Sequence, residues 1–151
     1  MSIDVRRATV DDLGIVAPLF DQYRMFYDQP SEVAAAHDFI EQRLRADESV
    51  ILLATSNGTA AGFTQLYPMF SSVRLARMWI LNDLFVAPEA RRLGVASALL
   101  DAAENFGREA GAQRLELETM HDNSTAQALY RDAGWASFDD TLRFRIDLKK
   151  A

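Results

Sequence analysis

Cysteine is absent from all 151 residues. That absence excludes a disulfide framework, a zinc–thiolate centre and a cysteine nucleophile, so a group transfer here cannot pass through a thioester on the protein. Long apolar runs are missing as well. No stretch approaches the ~20 uninterrupted apolar residues of a membrane-spanning helix. The opening Met1-Ser2-Ile3-Asp4-Val5-Arg6-Arg7 lacks the charged-then-apolar order of a secretory signal. The expected location is cytoplasmic, with no membrane partner. Positive charge is outweighed, 16 Lys and Arg against 22 Asp and Glu for a net charge of -6. This speaks against nucleic-acid binding, which needs a basic face. An acidic balance suits a cationic substrate, and equally suits plain solubility. The two histidines, His37 and His121, lie far apart without zinc-binding spacing and read as structural or surface groups, so no metal site is expected. Also missing are a Gly-x-x-x-x-Gly-Lys loop, a Gly-x-Gly-x-x-Gly fingerprint and a Gly-x-Ser-x-Gly elbow. With no linker, repeat or low-complexity tract, the chain reads as one domain over residues 1–151, long enough to bury roughly 70% of its unfolded surface.

What is present alternates between strand and helix patterns. Ile3 to Arg7 alternates as a short strand, and Thr9 with Asp12 forms a capped helix start. Leu13, Val16, Ala17, Phe20, Tyr23 and Tyr27 recur at helical spacing until Tyr27-Asp28-Gln29-Pro30 breaks the pattern. A second helix is predicted from Ser31 or Glu32 to about Arg45, burying Val33, Ala36, Phe39, Ile40 and Leu44. Asp21 and Glu32 read as solvated helix charges. Val50 to Thr55 is an apolar strand. The turn Ser56-Asn57-Gly58-Thr59 returns it through Ala61 to Tyr67. Met78 to Val86, Leu115 to Thr119 and Arg143 to Leu148 read as further strands. Helices are predicted from Gly94 to Ala110 and from about Asn123 to Ala133, stopped by Gly111 and Gly134. This order predicts an α/β chain, a mixed sheet with helices on its faces.

The most informative stretch is Leu84-Phe85-Val86-Ala87-Pro88-Glu89-Ala90-Arg91-Arg92-Leu93-Gly94-Val95-Ala96. It reads as an apolar strand, a proline-stopped loop, two arginines and a small-residue helix start. Such a helix turns its free N–H groups and positive dipole end toward the loop, which favours an anion there. Gly94 and Ala96 let phosphates approach the main chain, and Arg91 and Arg92 can add charge-assisted hydrogen bonds. A pyrophosphate-bearing ligand fits.

Four pieces then line up. Arg91-Arg92-Leu93-Gly94-Val95-Ala96, the preceding Leu81-Asn82-Asp83-Leu84-Phe85-Val86, Asn123 with Tyr130 seven residues on, and Gly134-Trp135 occur in one order and spacing. In these the chain resembles the GNAT superfamily of N-acetyltransferases over nearly its whole length, and within it the small-amine and polyamine branch. That branch carries a glutamate just before the aspartate, where this chain has Asn82. The resemblance implies the GNAT fold, a central mixed, mostly antiparallel twisted sheet of six to seven strands flanked by about four helices. It implies a cytoplasmic acyltransferase using acetyl-CoA as cosubstrate, with no metal, acting on the primary amine of a small molecule. A homodimer is implied because C-terminal strands in the family often pair between chains. Coenzyme contacts are implied for Leu84, Phe85, Val86, Arg91, Arg92, Leu93, Gly94, Val95, Ala96, Asn123 and Tyr130.

With no cysteine, the simplest route is direct attack of the amine on the thioester in a ternary complex. A protonated alkyl amine has a pKa of about 10.4, so some group must take its proton. Asp83, Glu116 and Glu118 are the candidates, and Asp83 is preferred. Tyr130 occupies the family position for the acid that protonates the leaving thiolate. Its spacing with Ala126, Leu129 and Ala133 also fits a core aromatic. A backbone N–H of Phe85 or Val86 would serve the oxyanion. Tyr23, Phe26, Tyr27, Asp28 and Phe70, with Glu118, are candidates for the acceptor side, where aromatics beside an acid suit a cation. The alternative is a catalytically silent acetyl-CoA sensor, which the presence of Tyr130 disfavours.

Overall fold

The computed structural model describes Ser2–Lys149, which divide into two compact units between Glu118 and Thr119. In the first unit β1 (Ile3–Arg7) is followed by α1 (Leu13–Phe26), α2 (Val33–Arg45), β2 (Val50–Ser56), β3 (Thr59–Ser71), β4 (Ala76–Val86), α3 (Val95–Glu109) and β5 (Arg114–Glu116). The five strands form one sheet in the order β1-β2-β3-β4-β5, antiparallel except for the β4–β5 pair. The parallel pair follows from the α3 crossover between its strands, as only a long connection can join parallel neighbours.

Thr9 caps the 3₁₀ turn Val10–Asp12 that leads into α1. Its N–H donates to Asp12 Oδ2 at 2.8 Å, and its hydroxyl accepts from the Asp11 N–H, satisfying backbone donors at both ends of a capping box. Arg6 clamps the same carboxylate with both terminal nitrogens, at 2.9 and 2.7 Å, and holds Asp12 down to about 2 from an ordinary 3.8. Asp21 corrects the sequence reading. It is buried, and its two oxygens accept from the Ser31 hydroxyl and the Glu32 N–H, each at 2.7 Å. The start of α2 has no cap of its own, so a carboxylate on α1 supplies it across the intervening turn. Glu32 is paired with Arg24 at 3.2 Å.

Pleating divides the core into two layers. On one face Ile51, Leu53, Phe63 and Phe85 pack with Val16, Leu19, Phe20, Ala36 and Ile40 of α1 and α2. On the other Trp79 meets Phe106 of α3 edge-on at 4.9 Å, alongside the buried Val95, Leu99, Leu100 and Ala103.

The second unit carries α4 (Ser124–Asp132), capped by Asn123, whose side chain accepts from the Ala126 N–H at 3.2 Å. The strand predicted over Arg143–Leu148 does not form, so the described sheet has five strands and not six to seven. Leu142, Phe144, Ile146 and Leu148 keep the alternation of a strand yet stand 82–91% exposed. A lone strand has no ladder to complete its hydrogen bonds, and the pattern shows itself only when a neighbour is present.

Candidate active site

The site begins with a change of pairing along β4. Met78, Trp79 and Ile80 pair with Arg114, Leu115 and Glu116 of β5. From Leu81 to Val86 the strand keeps β3 on one side and, among the described residues, no strand on the other. The register also slips there, since Leu66 faces Leu81 while Gln65 faces Asp83, leaving Asn82 as the extra residue of a bulge. The bulge turns Asp83 and Phe85 onto the α1–α2 face. Without it, continuous alternation from Leu81 would place Asp83 on the α3 face.

Beyond the bulge the strand orients its amides in a fixed way. The Ala87 N–H donates to Ala61 O at 2.8 Å, so by the antiparallel alternation the N–H of Phe85 faces β3 and those of Leu84 and Val86 face the open side. Gly62 makes the close approach of β3 possible. A Cβ there would lie 2.4 Å from the carbonyl oxygen of Phe85, a distance only glycine avoids.

The strand runs into a 3₁₀ turn, Pro88–Ala90, and then into Arg91-Arg92-Leu93-Gly94. Arg92 and Gly94 adopt φ of 65° and 86°. These left-handed residues turn the chain sharply into α3, which starts at Gly94 with no side-chain cap, so its first amides have no side-chain acceptor. Arg91 lies back on the strand, its Nε donating to Val86 O at 3.2 Å and its guanidinium carbon 5.9 Å from the ring centres of Phe26 and Phe85. Arg92, Leu93 and Gly94 are exposed, Val95 is buried and Ala96 half-buried.

Asp83 is buried at 3% exposure inside a set of neutral donors. Gln65 Nε2 donates to its Oδ2 at 2.6 Å and Asn82 Nδ2 to its Oδ1 at 2.7 Å. Burial pushes the carboxyl above its usual range, opposed by these donors and by the hydroxyl of Tyr23. The Tyr23 hydroxyl also reaches Asn82 O at 3.3 Å. Tyr67, half-buried nearby, is pushed up to about 12, first by burial and then by the charge of Asp83, and so stays a neutral hydroxyl.

The acceptor-side candidates separate. Tyr23 packs into the α1–α2 core against Phe63 at 5.8 Å and Phe85 at 6.3 Å while its hydroxyl reaches the bulge, so it is a core ring with a polar end at the site. Tyr27 and Phe26 are 50% and 60% exposed and meet each other edge-on at 5.4 Å. Asp28, at φ 64°, closes α1 by donating its N–H to Met25 O at 3.0 Å. Phe70 does not join this group. It pairs with Arg77 far down the hairpin, and the guanidinium lies 4.5 Å from its ring centre. Glu116 is held by Arg114 at 3.3 Å, and Glu118 is exposed beyond the end of β5. In the second unit Asn123 caps α4, and Tyr130 is half-buried with its ring 6.3 Å from Trp135.

Sequence reasoning missed Gln65 and Ser49. Both are buried polar side chains, and Ser49 donates its hydroxyl to Gln65 Oε1 at 2.8 Å. The signal was Thr64-Gln65 interrupting an otherwise apolar stretch from Ala60 to Leu66.

Comparisons with known proteins point to one family. The Acetyltransferase (GNAT) family matches residues 16–135. An uncharacterized N-acetyltransferase, YhfO, of Bacillus subtilis (strain 168) is 48% identical over 133 residues, covering 88% of this chain and 89% of its own. A crystal structure of a probable acetyltransferase superposes with a TM-score of 0.93 at 41% identity, covering 98% of this chain and 99% of that one. An aminoglycoside N-acetyltransferase in complex with CoA shares the fold, with a TM-score of 0.79 at 22% identity over 96% and 95% of the two chains. The chain belongs to the GNAT family of acetyltransferases. It is an N-acetyltransferase enzyme with the GNAT fold.

Proposed function

We propose that this chain transfers acetyl from acetyl-CoA to a primary amine of a small molecule by direct attack in a ternary complex, with residues 1–151 acting as one domain. The observation that carries the reading is Asp83, a buried carboxylate held only by neutral donors beside the half of β4 that has an open edge. A buried negative charge without a cation of its own is costly, and a substrate ammonium would relieve that cost. The proton of the ammonium passes to Asp83. The free amine then adds to the thioester carbonyl carbon, and as the tetrahedral intermediate collapses the bond to sulfur breaks. The departing thiolate takes a proton from the Tyr130 hydroxyl, the second proton shed by the nitrogen as it becomes an amide restores that hydroxyl through solvent, and Asp83 releases its own proton to solvent.

The coenzyme fits what this chain presents. The N–H of Leu84, on the open side, can pair with an amide of pantetheine as an added strand would, leaving that of Val86 on the same side for the thioester oxygen. Val86 N–H is the better placed oxyanion donor of the two named from the sequence, because that of Phe85 faces β3. The uncapped start of α3, with Arg92, Leu93, Gly94, Val95 and Ala96, takes the pyrophosphate. Arg91 must leave the Val86 carbonyl to reach it. Asn123 and Tyr130 contribute from α4, as the resemblance implies. Tyr23, Tyr27 and Asp28, with Glu118, shape the acceptor side.

The fold shared with an aminoglycoside N-acetyltransferase supports a small, cationic acceptor. A cytoplasmic homodimer completes the proposal, supported by the exposed alternating residues from Leu142 to Leu148 and the outer edge of β5, which has no strand on it among the described residues. The test is release of free thiol from acetyl-CoA across a panel of small amines, with Tyr130→Phe beside the wild type. Turnover on one amine class, lowered in the variant while coenzyme binding persists, supports the reading. Coenzyme binding without turnover on any amine contradicts it.

A further inference from the structure

We propose that Gln65, its amide oriented by Ser49, is a positioning residue that keeps the Asp83 carboxylate aligned as a proton acceptor. The inference rests on the reading of Asp83 given above. Its basis is a hydrogen-bond chain with one direction. The Ser49 hydroxyl donates to Gln65 Oε1 at 2.8 Å, which fixes the oxygen end of the amide and leaves Nε2 to donate to Asp83 Oδ2 at 2.6 Å. Flipping the amide would set its oxygen against the carboxylate and its nitrogen against the hydroxyl, which would then have to turn its proton away. Ser49, Gln65 and Asp83 are 3%, 0% and 3% exposed, so no bulk water can replace a lost partner.

The chain also spans the sheet. Ser49 lies just before β2, Gln65 on β3 and Asp83 on β4, so three adjacent segments aim one donor at one oxygen. Asn82 holds the other oxygen from the bulge, at 2.7 Å. With the Tyr23 hydroxyl as a third neutral donor, the two oxygens still keep a lone pair for an incoming ammonium. A donor to the charged form favours that form, which offsets the burial of Asp83 without placing a protein cation where the substrate must bind.

The experiment measures kcat/KM for the best amine against pH in the wild type, Gln65→Met, Ser49→Ala and Asp83→Asn, with acetyl-CoA affinity and melting temperature beside them. Gln65→Met keeps the length of the side chain and removes the donor. A hydrogen bond to a charged group is worth about one pH unit or somewhat more. The acid limb of the Gln65→Met profile should therefore move up by about one unit, lowering kcat/KM below it by about tenfold while acetyl-CoA affinity holds. Ser49→Ala should move the limb the same way by less. A limb unmoved in Ser49→Ala and in folded Gln65→Met, with any rate loss equal at every pH, would overturn the proposal and leave both residues as packing. Full activity in Asp83→Asn would instead overturn the reading of Asp83, and the inference with it.

Discussion

The two halves of β4 differ in how they are paired. From Met78 to Ile80 the strand has β3 on one side and β5 on the other, and Trp79 is sealed against Phe106. From Leu81 to Val86 it has β3 alone among the described strands, a bulge at Asn82 and a buried carboxylate at Asp83. One strand thus serves as scaffold in its first half and, in its second, as an edge on which Arg91 Nε holds the Val86 carbonyl. Backbone groups normally find partners, and in the function proposed above the coenzyme supplies the missing strand. The bulge adds the second requirement, because it turns an acid onto the face where α1 and α2 bring their aromatic rings.

The largest expected effect removes the acid from the open half. Asp83→Asn should lower kcat/KM for the amine by about 10² to 10⁴-fold, the range of a general base, with acetyl-CoA affinity unchanged, as steady-state kinetics and calorimetry would read. The raised position of Asp83 fixes the pH dependence. The group must be ionised to accept a proton, so wild-type activity should climb with pH through a midpoint above the usual carboxylate range. A second change attacks the partner that defines the edge. Gly62→Ala places a Cβ 2.4 Å from Phe85 O, pushing β3 and β4 apart. Unfolding in urea should show a loss of about 1–3 kcal/mol, the usual cost of overpacking. At the far end of the same segment, Gly94→Ala puts a side chain at φ 86° and should cost about 1–2 kcal/mol of stability while weakening acetyl-CoA binding, with no effect on the pH midpoint.

The smallest effect lies outside β4 and sharpens the contrast. Asp12, lowered to about 2 by Arg6 and by the capping N–H of Thr9, contributes stability that is complete above its ordinary 3.8 and is lost as pH falls through about 2. Melting temperatures between pH 5 and pH 2 should fall less steeply in Arg6→Ala than in the wild type, and activity near neutral pH should be the same in both.

Much of this was legible in the sequence, and what was not has a physical cause. Periodicity located α1, α2 and α3 to within a few residues, because each buries one apolar stripe, while α4, with no fully buried residue, was bounded by Asn123 and Gly134. The Arg91-to-Ala96 segment was legible as a loop leading to a small-residue helix start with free N–H groups, but not the left-handed turn at Arg92 and Gly94. Asp21 misled because a charge on a helix reads as solvated until a second helix start lies across from it. Gln65 and Ser49 went unseen since the chain from Ser49 through Gln65 to Asp83 depends on register, and register here depends on a bulge that leaves no mark in composition. The strand expected from Arg143 to Leu148 is not formed, because alternation alone makes no strand without a partner to complete its hydrogen bonds.

The most direct test is amide hydrogen exchange across β4, followed residue by residue with and without acetyl-CoA. Slowing at Leu84 and Val86, with Met78 to Ile80 unchanged, is the predicted result, since the ligand would complete the edge that β5 leaves open. Unaltered exchange at Leu84 and Val86 under saturating acetyl-CoA would contradict the claim that the open half of this strand is where the coenzyme binds.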